Sequence, residues 1–117
     1  MTLRALAVGM LLVVFGGAGL VAHHGWTGYD EQKALTLTGT VKAVAITNPH
    51  GYVDLVTKDK TWHVVLAPPA RMEARGLKAD MIKPGTTVTV MGYPHREIAT
   101  ELRAENITVA DKKTELR

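Results

Sequence analysis

Alternation of apolar and polar residues is the clearest pattern in this chain, and it predicts β-strands. The run 35–46 alternates for most of its length and is rich in β-branched residues, which is typical of a half-buried strand. Gly39 interrupts this run, and a bulge or a sharp bend is the usual reason for a glycine there. Shorter alternating runs at 52–57 and 61–67 predict two more strands, which a tight polar turn joins into a meander.

A short helix and two further strands complete the predicted elements. The helix is expected at 70–76, because prolines precede it and a glycine ends it. Alternating residues predict strands at 86–93 and 102–109. We expect the charged residues 111–117 to form a frayed tail.

The order of these elements indicates the fold class. Three strands, one helix and two strands is the order of the OB-fold, a five-stranded, partly open Greek-key barrel. We therefore predict a mostly β chain with a small OB-fold-like barrel domain over 35–110 and one short helix between strands 3 and 4. Another small β-barrel or a β-sandwich is the alternative.

Residues 1–22 have the pattern of a secretory signal peptide. Arg4 precedes an almost unbroken apolar run, which is followed by glycines and ends at the small residue Ala22. A retained membrane anchor is the alternative, since the stretch is close to the ~18–20 residues that span a bilayer. The interrupting glycines and the lack of a charged stop favour cleavage. We thus expect a periplasmic or secreted protein that is free of the membrane after cleavage, with an N-terminal segment at 23–34.

Composition narrows the possible functions. The chain has 117 residues, a net charge of +3 and no cysteine, which excludes disulfides, thiolate metal sites and cysteine nucleophiles. Arg4 is the only charged residue of 1–22, so the 95 residues after Ala22 carry +2. So small a charge, with few aromatic residues, argues against nucleic-acid binding. The common motifs of hydrolases, phosphate-binding loops and zinc proteases are missing from the sequence, so we expect no enzymatic activity; a copper-dependent activity that uses an N-terminal histidine is the alternative.

Several motifs resemble a family of short exported bacterial proteins of unknown function. They are the start His23-His24-Gly25-Trp26, the Leu-Thr-Gly-Thr-Val strand at 37–41, the turn Asn48-Pro49-His50 and the Ile-Lys-Pro-Gly-Thr segment at 82–86. Gly25-Trp26 stands where Ser-Phe is usual in that family, and Thr86 stands where Asp is usual. The resemblance implies export, a small β-barrel and a recurring pair of histidine motifs, and it implies no established activity.

Five histidines are the candidate metal ligands. Without thiolates, imidazole must carry any site for copper or zinc. His50 lies in the loop between strands 1 and 2 and His95 in the loop between strands 4 and 5, and both loops border the ligand-binding face of an OB-fold. We therefore predict a metal site, for copper above zinc, built from His50 and His95 with His23 or His24. His63, on strand 3, is the weaker candidate.

Cleavage after Ala22 would add a further ligand atom, because the free amine and the ring of His23 could chelate one ion together. Simpler roles compete with the metal hypothesis: a solvated His23-His24 tail, a His50 that only serves its turn, and an exposed loop residue at His95. The functional alternative is a metal-free module that binds a small ligand or a partner protein of the cell envelope.

Overall fold

The computed structural model describes residues 25–117, so the predicted signal at 1–22 and the candidate ligands His23 and His24 lie outside the described residues. The described part contains the strands β1 (Leu35–Ala45), β2 (Tyr52–Val56), β3 (Thr61–Val65), β4 (Thr87–Pro94), β5 (Glu101–Val109) and β6 (Lys112–Glu115). Between β3 and β4 lie helix α1 (Pro69–Ala74) and a 3₁₀ helix (Ala79–Ile82). None of the helices within 25–117 is long and apolar enough to cross a membrane.

A closed five-stranded barrel is the centre of the fold, and it confirms the predicted fold class. Neighbouring strands follow the order β3-β2-β1-β4-β5-β6. A parallel pairing of β3 with β5 closes the first five strands into a ring. Helix α1 follows β3 directly, where the sequence predicts the single short helix.

Strand β1 contributes to both sides of the barrel, which explains its length. Its first half pairs with β4 and its second half with β2. The pairing with β2 is irregular between Val41 and Ala43, so the bulge lies two residues beyond Gly39. Gly39 is needed for a different reason, because a Cβ atom there would overlap the carbonyl oxygen of Val56. The glycine lets the two backbones approach closely.

Alternate strand positions fill the barrel interior. The buried residues include Val53, Leu55, Trp62, Val64, Val88 and Val90. Burial of an aliphatic side chain of this size contributes about 1.5–3 kcal/mol to folding. Because successive side chains of a strand point to opposite faces, His63 must point away from the core that Trp62 enters. The structure confirms this, since the His63 side chain is 40 % exposed and Trp62 is 7 % exposed.

The C-terminal residues correct one expectation. The sequence predicts a frayed tail at 111–117, but Lys112–Glu115 form β6, which pairs with β5. Thr114 is 3 % exposed and Leu116 is 1 % exposed, so one face of this segment belongs to the core. Arg71 on α1 donates a hydrogen bond to the carbonyl of Leu116 at 3.1 Å. The many charged residues of this segment masked a short alternation whose apolar side is buried.

Candidate functional site

A cavity of about 330 Å³ opens on the barrel surface where the β1–β2 loop meets β3 and β5. Its walls include Gly25 and residues of the β1–β2 loop, together with Tyr29, His50, Tyr52, His63, Val65 and Arg103. We call this space the histidine cavity. It combines two of the predicted metal ligands with one arginine and aromatic walls.

The β2–β3 hairpin sets the orientation of His63. Its register places Asp54 directly opposite His63, and His63 Nδ1 lies 2.9 Å from Asp54 Oδ1. A carboxylate can only accept, so the imidazole donates through Nδ1, and in the neutral ring the lone pair is then on Nε2. The Tyr52 ring packs against the imidazole at 4.5 Å between centroids. Metal-binding histidines are commonly oriented by a carboxylate in this way.

His50 lies in the β1–β2 loop, just after the cis peptide bond between Asn48 and Pro49. An Nη of Arg103 donates to His50 Nε2 at 3.1 Å. Because arginine has no acceptor, His50 Nε2 is the unprotonated ring nitrogen in this arrangement. A metal ion could bind His50 through Nε2 only after this hydrogen bond is released.

Arg103 connects the N-terminal segment to the cavity. This residue is 7 % exposed, and its other Nη donates to the carbonyl of Gly25 at 2.9 Å. The guanidinium lies 4.2 Å from the ring centre of Trp26, and Arg117 lies 4.4 Å from the same ring. Arg117 also forms an ion pair with Glu31 at 2.6 Å. The indole between two cations therefore fixes the chain directly after His24 against the barrel.

Tyr29 forms another wall of the cavity. Its hydroxyl donates a hydrogen bond to Glu101 Oε2 at 2.6 Å. Burial, followed by this hydrogen bond and the negative charge of Glu101, raises the pKa of Tyr29 well above its usual range. The phenol is therefore neutral and held in place, and the Glu101 carboxylate is directed at Tyr29.

His95 has a different environment from the other two histidines. Its Nδ1 accepts hydrogen bonds from the backbone N–H groups of Glu97 and Ile98, both at 3.0 Å. Its Nε2 lies 4.0 Å from Glu101 Oε2, and the ring packs edge-on against Tyr29 at 5.1 Å. His95 does not line the histidine cavity. The structure thus brings His50 together with His63, whereas the sequence paired His50 with His95.

Within residues 25–117, no group of three or more His, Asp or Glu side chains is arranged to hold a metal ion. The predicted ligands His23 and His24 lie outside this range. Any complete metal site in the histidine cavity would therefore need ligands from His23, His24 or another molecule.

Sequence reasoning missed Tyr29 and Arg103, which line the cavity, and Asp54 and Trp26, which contact its wall residues. Asp54 had a usable signal, because a hairpin centred on Lys58-Asp59 pairs it with His63. The sequence of β5 gives no signal that Arg103 is buried. Arg103 alternates with buried neighbours, so its side chain is expected to face solvent. It is buried because a segment almost 80 positions earlier in the chain covers it.

Comparison with solved structures defines the class of the barrel as an OB-fold. The chain aligns with the Schizosaccharomyces pombe Stn1–Ten1 complex at 17 % identity and a TM-score of 0.54, covering 68 % of this chain and 59 % of that one. Its TM-score with asparaginyl-tRNA synthetase from Pyrococcus horikoshii is 0.52, at 16 % identity over 72 % of this chain and 20 % of the synthetase. The chain thus spans less than two thirds of either neighbour, and at such identities the likeness shows the fold alone.

The family is shown by a second comparison. The chain belongs to the family of unknown function DUF6152, whose model matches residues 11–103. No curated protein matches the chain. Membership of a family of unknown function agrees with the resemblance found in the sequence, and the function must be argued from the site itself.

Proposed function

We propose that this chain is an exported small β-barrel protein that binds a transition metal ion, copper above zinc, through histidines. One observation carries the proposal: Gly25, the residue after His24, lines the same cavity as His50 and His63. Export is supported by the signal-like pattern of 1–22.

Chain geometry allows His24 to reach the histidine cavity. One guanidinium bridges the Gly25 carbonyl and His50 Nε2, through hydrogen bonds of 2.9 and 3.1 Å. Consecutive Cα atoms are about 3.8 Å apart, so His24 begins one such step from a residue of the cavity wall. His50, His63 and His24 can therefore supply three imidazoles, and a cleaved N-terminus at His23 would add an amine.

The ligand chemistry favours copper. Nitrogen ligands without thiolates suit Cu(II), which stands above Zn(II) in affinity for such a set. His63 is the best prepared of the described histidines, because Asp54 fixes its ring and, in the neutral imidazole, places the proton on Nδ1 and the lone pair on Nε2. The positive charge of Arg103 opposes any cation in the cavity, so the proposed site depends on strong metal–nitrogen bonds or on an anion beside Arg103.

The proposal is tested by isothermal titration of the processed protein with Cu(II) and then Zn(II). A variant that lacks His23, His24 and His50 should lose copper affinity by about 100-fold or more, and a His95→Ala variant should not. Equal copper binding by the triple variant and the wild-type protein would refute the proposal. Intact mass and metal content of the protein purified from the periplasm should give a start at His23, and any other start would remove the amine from the ligand set.

A metal-free binding module is the second candidate function. It is favoured by Arg103, a buried cation in the cavity wall that makes no ion pair within residues 25–117. The two candidates differ in their requirement for metal, so metal-depleted protein separates them.

A further inference from the structure

The charge of Arg103 is unbalanced where it meets the histidine cavity. Arg103 is more than nine-tenths buried, and within residues 25–117 its polar contacts are the Gly25 carbonyl and the neutral His50 ring nitrogen. Its Nε is buried without a hydrogen-bond partner. A buried charge is costly unless it is paired, so this guanidinium lacks the partner that such groups normally have.

The surroundings of Arg103 increase the positive potential. Burial lowers the pKa of Arg103, Tyr29 acts in the opposite direction, and the nearby charges of Arg117 and Arg71 lower the pKa further. Two carboxylates beside the cavity wall already have partners. Asp54 accepts from His63, and Glu101 accepts from the Tyr29 hydroxyl. Neither of these carboxylates lines the histidine cavity, and among the wall residues within 25–117 Arg103 alone has a fixed charge.

The remaining walls of the cavity suit a flat apolar body. Tyr29 and Tyr52 contribute ring surfaces and Val65 an aliphatic one. The volume of about 330 Å³ lies at the lower end of the range of small-molecule sites. A guanidinium has five N–H donors, of which Gly25 and His50 use two, so donors remain for both oxygens of a carboxylate.

We propose that the histidine cavity binds a small organic monocarboxylate with a planar apolar body, with its carboxylate on Arg103 and its body against Tyr29 and Tyr52. This inference does not depend on metal binding. A carboxylate in that position would in addition offset the positive charge of a metal ion held by His50 and His63.

The experiment uses metal-depleted protein and three probes: benzoate, benzamide and acetate. Benzoate has the charge and the ring, benzamide keeps the ring without the charge, and acetate keeps the charge without the ring. Trp26 stacks on Arg103, so its fluorescence, measured in a Trp62→Phe background, should report binding. We expect benzoate to bind at least about tenfold more tightly than either control, a difference of about 1.4 kcal/mol, and to raise the melting temperature.

Arginine substitutions test whether Arg103 is the side chain that binds the carboxylate. Arg103→Lys keeps the positive charge but loses the planar guanidinium that can bind both carboxylate oxygens. It should weaken benzoate binding by at least about tenfold. Arg75→Lys on the helix side is the matched control and should bind benzoate like the wild-type protein. The comparison of benzoate with benzamide needs no variant, so the test stands if Arg103→Lys does not fold.

Three results would overturn the inference. Benzoate and benzamide binding equally would show that charge is irrelevant. Acetate binding as tightly as benzoate would show that no apolar body is recognised. If benzoate does not bind at concentrations up to roughly 10 mM, the proposed carboxylate site does not exist. All three probes are measured with metal-depleted protein, so none of these outcomes bears on the copper proposal.

Discussion

His63 and His95 lie at two neighbouring regions of the same barrel, yet their ring nitrogens have different partners. His63 uses Nδ1 to contact Asp54, and its side chain lines the histidine cavity. His95 uses Nδ1 to accept two backbone N–H groups of its own loop. The His63 ring is held by Asp54 at the cavity wall, whereas the His95 ring holds the β4–β5 loop in shape. Tyr29 contacts His95 and lines the cavity, so it separates the two regions.

Loop position alone therefore does not identify a metal ligand. Both loops border the face that OB-folds use for binding, but the partners of each imidazole decide what it can do. A nitrogen that already accepts backbone hydrogen bonds is unavailable unless the loop rearranges. Substitutions that change one region at a time can separate the two roles.

The largest expected effect is on copper affinity in a His63→Ala variant. Removing a ligand should cost about 100-fold or more, because even the loss of a carboxylate behind a ligand typically costs about 10–100-fold. Stability should change little, because the side chain is partly exposed. Isothermal titration and urea unfolding measure the two quantities, and unchanged copper affinity would remove His63 from the site.

Asp54→Asn should have the next largest effect. The amide is nearly the same size but cannot fix the imidazole as a carboxylate does, so copper affinity should fall by about tenfold or more. Melting temperature should stay close to that of the wild-type protein. Asp59→Asn, in the turn of the same hairpin, is the control, and an equal loss in both variants would point to a general charge effect.

His95→Ala should give the opposite pattern. Two backbone N–H groups lose their acceptor, which should reduce the free energy of unfolding by about 1–2 kcal/mol. Copper affinity should stay within about twofold of the wild-type value. A large loss of copper affinity with unchanged stability would mean that the β4–β5 loop belongs to the metal site.

The smallest expected effect is on stability at alkaline pH, and it concerns Tyr29, which lies between the two regions. The pKa of Tyr29 is raised in the folded protein, so folding retains a proton that the unfolded chain releases above its ordinary value of about 10. This contribution to stability is complete below about pH 10 and is lost as the pH rises further. In Tyr29→Phe the free energy of unfolding should therefore fall less steeply above pH 10. The difference in slope should be smaller than ~1.4 kcal/mol per pH unit, which is the limit for a single proton. Urea unfolding at several pH values measures this, and parallel declines would contradict it.

Much of the fold could be predicted from the sequence, because alternation in β1 to β5 is local and regular. The role of Gly39 could not be predicted, since the close approach of Val56 exists only after β1 and β2 have paired. The strand β6 was missed because five of the seven residues 111–117 are charged and, in this segment, only Thr114 and Leu116 face the core.

The site was less predictable than the fold. The sequence identified the histidines and their loops, but the grouping of His50 with His63 depends on how β3 and the β1–β2 loop converge. The burial of Arg103 depends on Trp26, which is distant in the chain and packs on it only in the folded protein. Contacts of this kind leave no mark on local periodicity.

The most direct test of the central claim is a crystal structure of the processed protein with Cu(II), with anomalous scattering measured at the copper edge. We predict one strong peak in the histidine cavity at about 2.0–2.1 Å from His63 Nε2, the usual length of a metal–imidazole bond. A peak at His95, or a peak bound by His23 and His24 alone and remote from His63, would contradict the account.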